Sequence, residues 1–193
     1  MSPELEGWLA ELLATPGLTA IRDPAEARAM LVDDALRAVE LVRGFDGAIV
    51  DVGSGGGSPG IPLAVALAER EVTLLEAERR KCDFLERWAP PNARVVWGRA
   101  EEQETDAYGV ALAKALASPP VAAEWCLPLV RPGGAVVLWL GPTADRVAVA
   151  RVSELLGGGQ PEERQGLVVL PKLAPTPPGF PRRAGIARKR PLA

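Results

Sequence analysis

The run of glycines between positions 53 and 60 is the feature that most constrains the fold of this chain. Residues 48–52 form a short, mostly apolar run, residues 59–69 have a helical pattern, and residues 72–75 are again strand-like. Glycine permits positive φ and lets a ligand approach the backbone closely. A strand, a glycine-rich turn, a helix and a second strand, in this order, predict a ligand site at the carboxyl ends of an open α/β sheet.

Strands and helices continue to alternate after this segment. We predict further strands at 94–97, 110–113, 135–140 and 166–170, a final strand at 184–187, and helices at 77–88, 120–129 and 143–156. The alternation indicates an α/β fold with a mostly parallel sheet and helices on both faces. No long helix separates the last two strands, so we expect them to pair antiparallel at one edge.

The N-terminal region has a different pattern. Residues 3–14 and 23–43 read as helices, the second beginning with Asp23 as N-cap and Pro24 in its first turn. We therefore predict one domain over residues 1–193. It consists of a helical extension, residues 1–46, and a seven-stranded sheet core, residues 47–193, with a basic C-terminal end.

The composition excludes several kinds of chemistry. The chain has no histidine and only two cysteines, which removes the most frequent general base and argues against a zinc site. Two cysteines are too few for a disulfide framework, and no apolar run approaches the ~18 residues of a membrane-spanning helix. These features indicate a cytoplasmic protein with reduced thiols, no metal and no membrane partner.

Acidic and basic residues are unevenly distributed along the chain. The last acidic residue is Glu163, and six basic residues with no acidic one follow from Lys172 onward. The preceding body therefore has a net charge of −9 and the tail one of +6. A basic end on an acidic body indicates either an anion-binding surface or a solvated tail.

The cysteines and most of the tryptophans fall in predicted helices and strands. We expect Cys82 and Cys126 to pack in the core rather than act as nucleophiles. Tryptophan can stack on bases, but Trp88, Trp125 and Trp139 lie at apolar positions and are predicted to pack in the core.

The glycine-rich turn fits two cofactor classes. Gly55, Gly57 and Gly60 match the G-x-G-x-x-G pattern of dinucleotide-binding oxidoreductases. With Asp51 and Gly53 added, the segment reads D-x-G-x-G-x-G, which is typical of methyltransferases that use S-adenosylmethionine.

A carboxylate at the end of the second strand adds to the methyltransferase interpretation. Glu76 stands where its oxygens can accept hydrogen bonds from both ribose hydroxyls of a nucleoside cofactor. The turn Arg131-Pro132-Gly133-Gly134, before an apolar strand, also resembles the turn before the fifth strand of class I methyltransferases.

Several blocks in order resemble the RsmG (also called GidB) family of small-subunit ribosomal RNA methyltransferases. The blocks are Leu18-Thr19 with Arg22-Asp23-Pro24, Asp51 through Ala64, Arg80-Lys81-Cys82-Asp83-Phe84-Leu85, Gly98-Arg99-Ala100-Glu101-Glu102, Ala113-Lys114-Ala115-Leu116-Ala117, Phe180-Pro181-Arg182-Arg183-Ala184-Gly185 and Lys189-Arg190-Pro191-Leu192. Together they span nearly the whole chain.

This resemblance implies a Rossmann-like class I methyltransferase fold and methylation of guanine N7 in 16S rRNA, with 16S rRNA or the small subunit as partner and no DNA. Guanine N7 has a free lone pair, so no catalytic base is predicted. The residues that we derive from the motif as cofactor contacts are Asp51, Gly55 and Glu76. Those that the family adds by position are Gly53, Ser58, Ala100, Glu101 and Lys114. The predicted RNA contacts are Arg182, Arg183, Arg188, Lys189 and Arg190.

Two alternatives remain open from the sequence. One is an NAD-dependent oxidoreductase that uses the literal G-x-G-x-x-G. The other is an S-adenosylmethionine-binding, RNA-associated protein with reduced or lost activity, because Lys114 stands where the family usually has arginine and the chain before Leu18 is shorter than in the family.

Overall fold

A mixed seven-stranded sheet lies at the centre of the computed structural model, which describes residues 2–193. The strands are β1 (Ile49–Val52), β2 (Val72–Glu76), β3 (Ala93–Trp97), β4 (Tyr108–Lys114), β5 (Val130–Trp139), β6 (Glu162–Arg164) and β7 (Leu167–Pro171). Their order across the sheet is β3-β2-β1-β4-β5-β7-β6. The first five are parallel, and β7 is antiparallel to both β5 and β6. The predicted fold class, with its antiparallel edge, is confirmed.

The helices flank this sheet and precede it. They are α1 (Pro3–Ala14), α2 (Pro24–Ala27), α3 (Asp34–Leu36), α4 (Val39–Arg43), α5 (Gly60–Ala66), α6 (Arg79–Trp88), α7 (Pro119–Cys126), α8 (Arg146–Leu155) and α9 (Ile186–Lys189). A π-helical segment, Arg28–Asp33, connects α2 to α3, and short 3₁₀ turns cover Ala100–Glu102 and Leu127–Leu129. The helix predicted over 23–43 is thus divided, although Asp23 caps its start by accepting the Glu26 N–H at 2.8 Å.

Two hydrophobic layers cover the two faces of the sheet. One layer contains α1, α5 and α6, with Trp8, Leu12 and Phe84 fully or almost fully buried. The other contains α7 and α8, with Trp125 and Val149. The buried strand residues alternate between the two layers, because successive side chains of a strand point to opposite faces.

The N-terminal helices are attached to the sheet core by packing and by polar contacts. Trp8 of α1 belongs to the same buried layer as the sheet residues, and its Nε1 donates to the Gly56 carbonyl oxygen at 2.9 Å. Arg37 donates to the Gln165 carbonyl oxygen, beside the β6–β7 turn. The extension therefore supports the glycine-rich turn directly.

The prediction for the edge of the sheet was wrong in one element. The partner of β7 is not a strand at 184–187, where the chain instead enters α9. Its partners are β5 and the short β6, and a tight turn with Gln165 at φ 52° and Gly166 at φ 71° joins β6 to β7. Two consecutive positive φ values suit the twist of a hairpin. All three residues of β6 are charged and exposed, so no apolar pattern marked it as a strand.

The arrangement of the parallel strands determines where a ligand can bind. Strand β1 pairs with β2 on one side and β4 on the other. The chain therefore builds the sheet outward from β1 in one direction through β2 and β3, and then in the opposite direction through β4 and β5. A crevice therefore opens beyond the carboxyl ends of β1 and β4. Within residues 2–193, no helix has the length and apolarity needed to cross a membrane, and no three His, Cys, Asp or Glu side chains are grouped to hold a metal ion.

Candidate cofactor and RNA site

The glycine-rich turn connects β1 to α5 in a conformation that requires glycine. Gly53, Gly55 and Gly57 have φ values of 69°, 57° and 109°, which side chains rarely adopt. A Cβ on Gly53 would also overlap the side chain of Leu116, which follows β4. The turn therefore brings bare backbone to the crevice and leaves no room for a side chain there.

Asp51 lies beneath this turn. It is 1% exposed, its Oδ2 accepts the Gly60 N–H at 3.1 Å, and Ser54 Oγ donates to its carbonyl oxygen at 2.9 Å. Burial raises the pKa of the Asp51 carboxyl to about 7, with the Glu76 charge adding to the rise, while Ser54, Gly60 and the more distant Lys114 oppose it. Asp51 thus connects the end of β1 to the first residue of α5.

Glu76 ends β2 with its carboxylate against the turn. Its Oε2 accepts the Gly55 N–H at 2.8 Å and its Oε1 accepts the Glu78 N–H at 2.9 Å. The side chain is almost fully buried and lines the crevice. Each carboxylate oxygen has a second acceptor position, so the pair of oxygens can still accept two hydroxyl hydrogen bonds.

The crevice is a cavity of about 680 Å³, a size in the range of small-molecule sites. The turn and Glu76 form one wall, and Gly98 through Glu101, after β3, form the next. Lys114 through Leu116 close it on the β4 side. Side chains of the N-terminal region also line it, namely Leu12, Leu18, Thr19 and Leu31.

Lys114 joins the end of β4 to the N-terminal region. Its Nζ lies 2.8 Å from Asp34 Oδ2 and also donates to the Met30 carbonyl oxygen. Ser58, in the glycine-rich turn, makes a parallel contact, because its Oγ donates to the Leu31 carbonyl oxygen at 2.8 Å. Two residues of the cavity wall thus hold the segment 30–34 in place.

The C-terminal segment forms the remaining part of the wall. The Gly185 N–H donates to Glu101 Oε1 at 3.1 Å, and Arg188 stacks over the Trp125 ring with its Cζ 5.1 Å from the centroid. Gly185, Arg188 and Trp125 all line the cavity. The basic tail therefore passes along the mouth of the cavity.

Arg182 differs from the other tail cations. Its Nε and Nη2 each donate to one oxygen of Glu124, both at 2.6 Å, and the Glu124 side chain is only 4% exposed. Such a two-point pair holds the chain after Pro181 against α7. Arg183, Lys189 and Arg190 are exposed to solvent.

Comparison with known proteins decides the family. The model of the family described as rRNA small subunit methyltransferase G, GidB, matches residues 5–155 of this chain. The chain belongs to this family. The expected family is therefore confirmed, and the match favours a methyltransferase over the oxidoreductase alternative.

Individual relatives of the GidB family agree along most of the chain. The ribosomal RNA small subunit methyltransferase G of a Synechococcus species is 36% identical over 205 residues, which cover 92% of this chain and 79% of that protein. The protein of the same name from Rubrobacter xylanophilus is 42% identical over 171 residues, covering 76% and 65%.

A solved structure agrees in fold. The 16S rRNA N2 guanine methyltransferase RsmC of T. thermophilus, in complex with AdoMet and guanosine, has a TM-score of 0.58 and 22% identity, and the match covers 85% of this chain and 43% of that chain. At this identity the likeness concerns the fold alone.

The fold brings most of the predicted cofactor residues of this GidB family member to one cavity. Its lining includes seven of the eight: Gly53, Gly55, Ser58, Glu76, Ala100, Glu101 and Lys114. Asp51 is instead below the turn. Of the predicted RNA residues, Arg188 lines the cavity, and Arg182 forms an ion pair with Glu124.

Sequence reasoning missed several residues of the wall. Trp125 was expected in the core, and it is buried there, but it also lines the cavity. Leu116 and Gly185 occur in the blocks that resemble the family, yet nothing in their type indicated a role. Because these residues meet through contacts between distant segments, only the three-dimensional fold places them together.

Proposed function

We propose that this chain transfers the methyl group of S-adenosylmethionine to N7 of a guanine in 16S rRNA of the small ribosomal subunit. The observation that carries the proposal is the convergence of the glycine-rich turn and Glu76 on one cavity in a member of the GidB family. The position of the methyl group, N7, comes from the family resemblance.

The cavity has the features that a nucleoside cofactor requires. Because Gly53 has no side chain, a cofactor can approach its backbone closely. The Glu76 carboxylate oxygens can accept hydrogen bonds from the two ribose hydroxyls. Ala100 and Glu101 follow β3, where the adenine edge would lie. We assign Asp51 to holding the turn in shape, since its carboxylate contacts the α5 backbone.

The reaction needs little from the chain beyond positioning. S-adenosylmethionine supplies an electrophilic methyl group on a sulfonium sulfur. The guanine N7 lone pair forms the new carbon–nitrogen bond as the carbon–sulfur bond breaks, and its electrons remain on the sulfur. No proton leaves N7, which agrees with a chain that has no histidine. Orientation of the two reactants in the cavity contributes ~7–11 kcal/mol in well-oriented cases.

The exposed tail cations supply phosphate contacts. Arg183, Lys189 and Arg190 are exposed and belong to the same C-terminal segment as Arg188, which lines the cavity. They can neutralise phosphates of the RNA backbone. Arg182 contributes to RNA binding indirectly. Its ion pair with the buried Glu124 fixes the path of the C-terminal tail, which carries the exposed cations.

The proposal is tested by incubating the protein with radiolabelled S-adenosylmethionine and small-subunit RNA, either free or in subunits. We expect incorporation with at least one of the two substrates. Glu76→Gln should weaken cofactor affinity, measured by calorimetry, by roughly 10- to 150-fold, since a charged acceptor is lost. Glu86→Gln, at an exposed position of α6, is the matched control. No incorporation with either substrate would contradict the proposal.

One observation favours a second candidate, a cofactor-binding and RNA-associated protein with reduced activity. Lys114 is already paired with Asp34 and with the Met30 carbonyl oxygen, so its ammonium group has fewer donors left for a cofactor carboxylate. Cofactor binding without any methyl transfer would support this candidate. Recovery of transfer in Lys114→Arg, which restores a planar guanidinium fork, would assign the defect to this residue.

A further inference from the structure

Trp97 is far more exposed than the other tryptophans. It is the last residue of β3 and 62% of its surface is exposed, whereas Trp8 is fully buried and Trp125 is 9% exposed. Trp88 and Trp139 are partly buried against the core. Burial of an indole ring is strongly favourable, so a ring as exposed as that of Trp97 can gain free energy by binding a ligand.

The exposed ring is nevertheless held in one orientation. Its Nε1 donates to the Ala77 carbonyl oxygen at 3.1 Å. The Arg79 guanidinium lies over it, with Cζ 5.3 Å from the ring centroid, and Asp83 Oδ1 holds Arg79 Nε at 3.0 Å. A ring that is already ordered loses little conformational entropy when a planar ligand stacks on it.

Trp97 is adjacent to the wall of the cofactor cavity. Ala77, to which it donates, lines that cavity, and so do Gly98 and Arg99, which follow it in the chain. The same wall continues to Glu101, whose carboxylate accepts the Gly185 N–H of the basic tail. Trp97 and the tail thus lie at two ends of one continuous rim.

One cation contacts the ring and a second is close to it in the chain, since Arg79 lies over the ring and Arg99 is two residues after Trp97. Arg79 and Lys81 are paired with Asp83 and Glu78 respectively. The Arg99 side chain makes no ion pair within residues 2–193, and its backbone N–H donates to Glu102 Oε2 at 3.2 Å. Arg80 is directed away from this group and donates to the Pro16 carbonyl oxygen. The Arg99 guanidinium is therefore the cation beside the ring that has no carboxylate partner among the described residues, and it can contact an RNA phosphate.

We propose that Trp97, with Arg79 and Arg99, is a stacking platform for an unpaired base of the RNA substrate, close to the methylated nucleotide. This inference rests on the proposed function. An aromatic ring framed by cations is how proteins bind single-stranded RNA, with the base on the ring and the phosphates on the cations. A second copy of the chain fits less well, because a stable interface needs about 800 Å² on each partner and Trp97 is a single side chain framed by charge.

The test is equilibrium binding of unmodified 16S rRNA transcript to the full chain, alongside the KM values for RNA and for S-adenosylmethionine. Trp97→Ala should weaken RNA binding roughly 5- to 150-fold and raise the KM for RNA, with cofactor affinity unchanged. Trp97→Phe should keep most of the affinity, since phenylalanine retains a stacking face. Leu173→Ala, at an apolar residue 68% exposed on the antiparallel side of the sheet, is the matched control and should change neither constant.

A second pair of variants separates the platform cation from general charge. Arg79→Ala should weaken RNA binding, whereas Arg146→Ala, which removes a half-buried arginine that is likewise paired with a carboxylate, should not. If wild type binds and methylates RNA but Trp97→Ala behaves like Leu173→Ala, the platform is wrong and the proposed function stands. If Trp97→Ala changes only self-association, measured by sedimentation, the platform is also overturned, in favour of a second copy. If wild type neither binds nor methylates RNA, both proposals fail.

Discussion

Asp51→Asn should change the pH dependence of stability in a way that can be worked out from the structure. The Asp51 carboxyl is buried beneath the glycine-rich turn, and burial raises its pKa from 3.8 to about 7. In the unfolded chain the same group ionises near its ordinary pKa. The folded state therefore binds more protons than the unfolded state between about pH 4 and pH 7.

This difference determines the sign and the size of the effect. Stability changes with pH in proportion to the protons bound in the unfolded state minus those bound in the folded state. For Asp51 this difference is negative, so its contribution falls as pH rises from about 4 to about 7 and is constant above that. A shift of roughly 3 units corresponds to a total loss on the order of 4 kcal/mol.

The assay is urea unfolding of wild type and Asp51→Asn at several pH values from 4 to 8. Asparagine has a similar shape and can still accept the Gly60 N–H, but it does not ionise. We expect the free energy of unfolding of the variant to gain on that of wild type as pH rises, levelling above pH 7. Asp83→Asn, at an exposed aspartate of α6, is the control and should show no such trend. A wild-type minus Asp51→Asn difference that is flat with pH would refute the reasoning.

Two further pairs of variants test the glycine-rich turn and the C-terminal tail. Gly53→Ala and Gly133→Ala both place a side chain at positive φ, but only the first clashes with a neighbour. We expect Gly133→Ala to destabilise the fold by roughly 1 kcal/mol. Gly53→Ala should destabilise it more and should also weaken cofactor binding, measured by calorimetry. Arg182→Ala strands the buried Glu124 carboxylate and should cost about 3 kcal/mol in urea unfolding. Arg183→Ala should leave stability within about 0.5 kcal/mol but weaken RNA binding and lower its salt dependence. Equal stability losses for both arginines would contradict the role assigned to the pair.

The parallel part of the fold was predictable because its signals are local. The alternation of apolar strands with helical segments gives β1 through β5, and the glycine-rich turn marks the end of β1. Strand β6 was missed because its three charged, exposed residues have no apolar pattern, and its pairing depends on the two-residue turn that follows. The strand expected at 184–187 is replaced by the short helix α9.

The candidate site was predictable to the extent that it lies at strand ends. Glu76 follows from the position of β2, whereas Ala100 came from the family resemblance, and the fold brings both to the cavity. The pairing of Arg182 with Glu124 was not predictable, because it joins segments 58 residues apart and depends on how the tail crosses α7. The exposure of Trp97 was equally hidden, since an apolar residue at a strand end is more often buried.

The position of the transferred methyl group tests the central proposal most directly. A guanine methylated at N7 carries a positive charge on its ring, so borohydride reduction followed by aniline cleaves the RNA chain at that nucleotide. We predict one new cleavage, at a guanine of 16S rRNA, that requires both the protein and S-adenosylmethionine and is strongly reduced with Glu76→Gln. Cofactor binding with no cleavage, or methyl incorporation at a position that aniline does not cleave, would contradict the account.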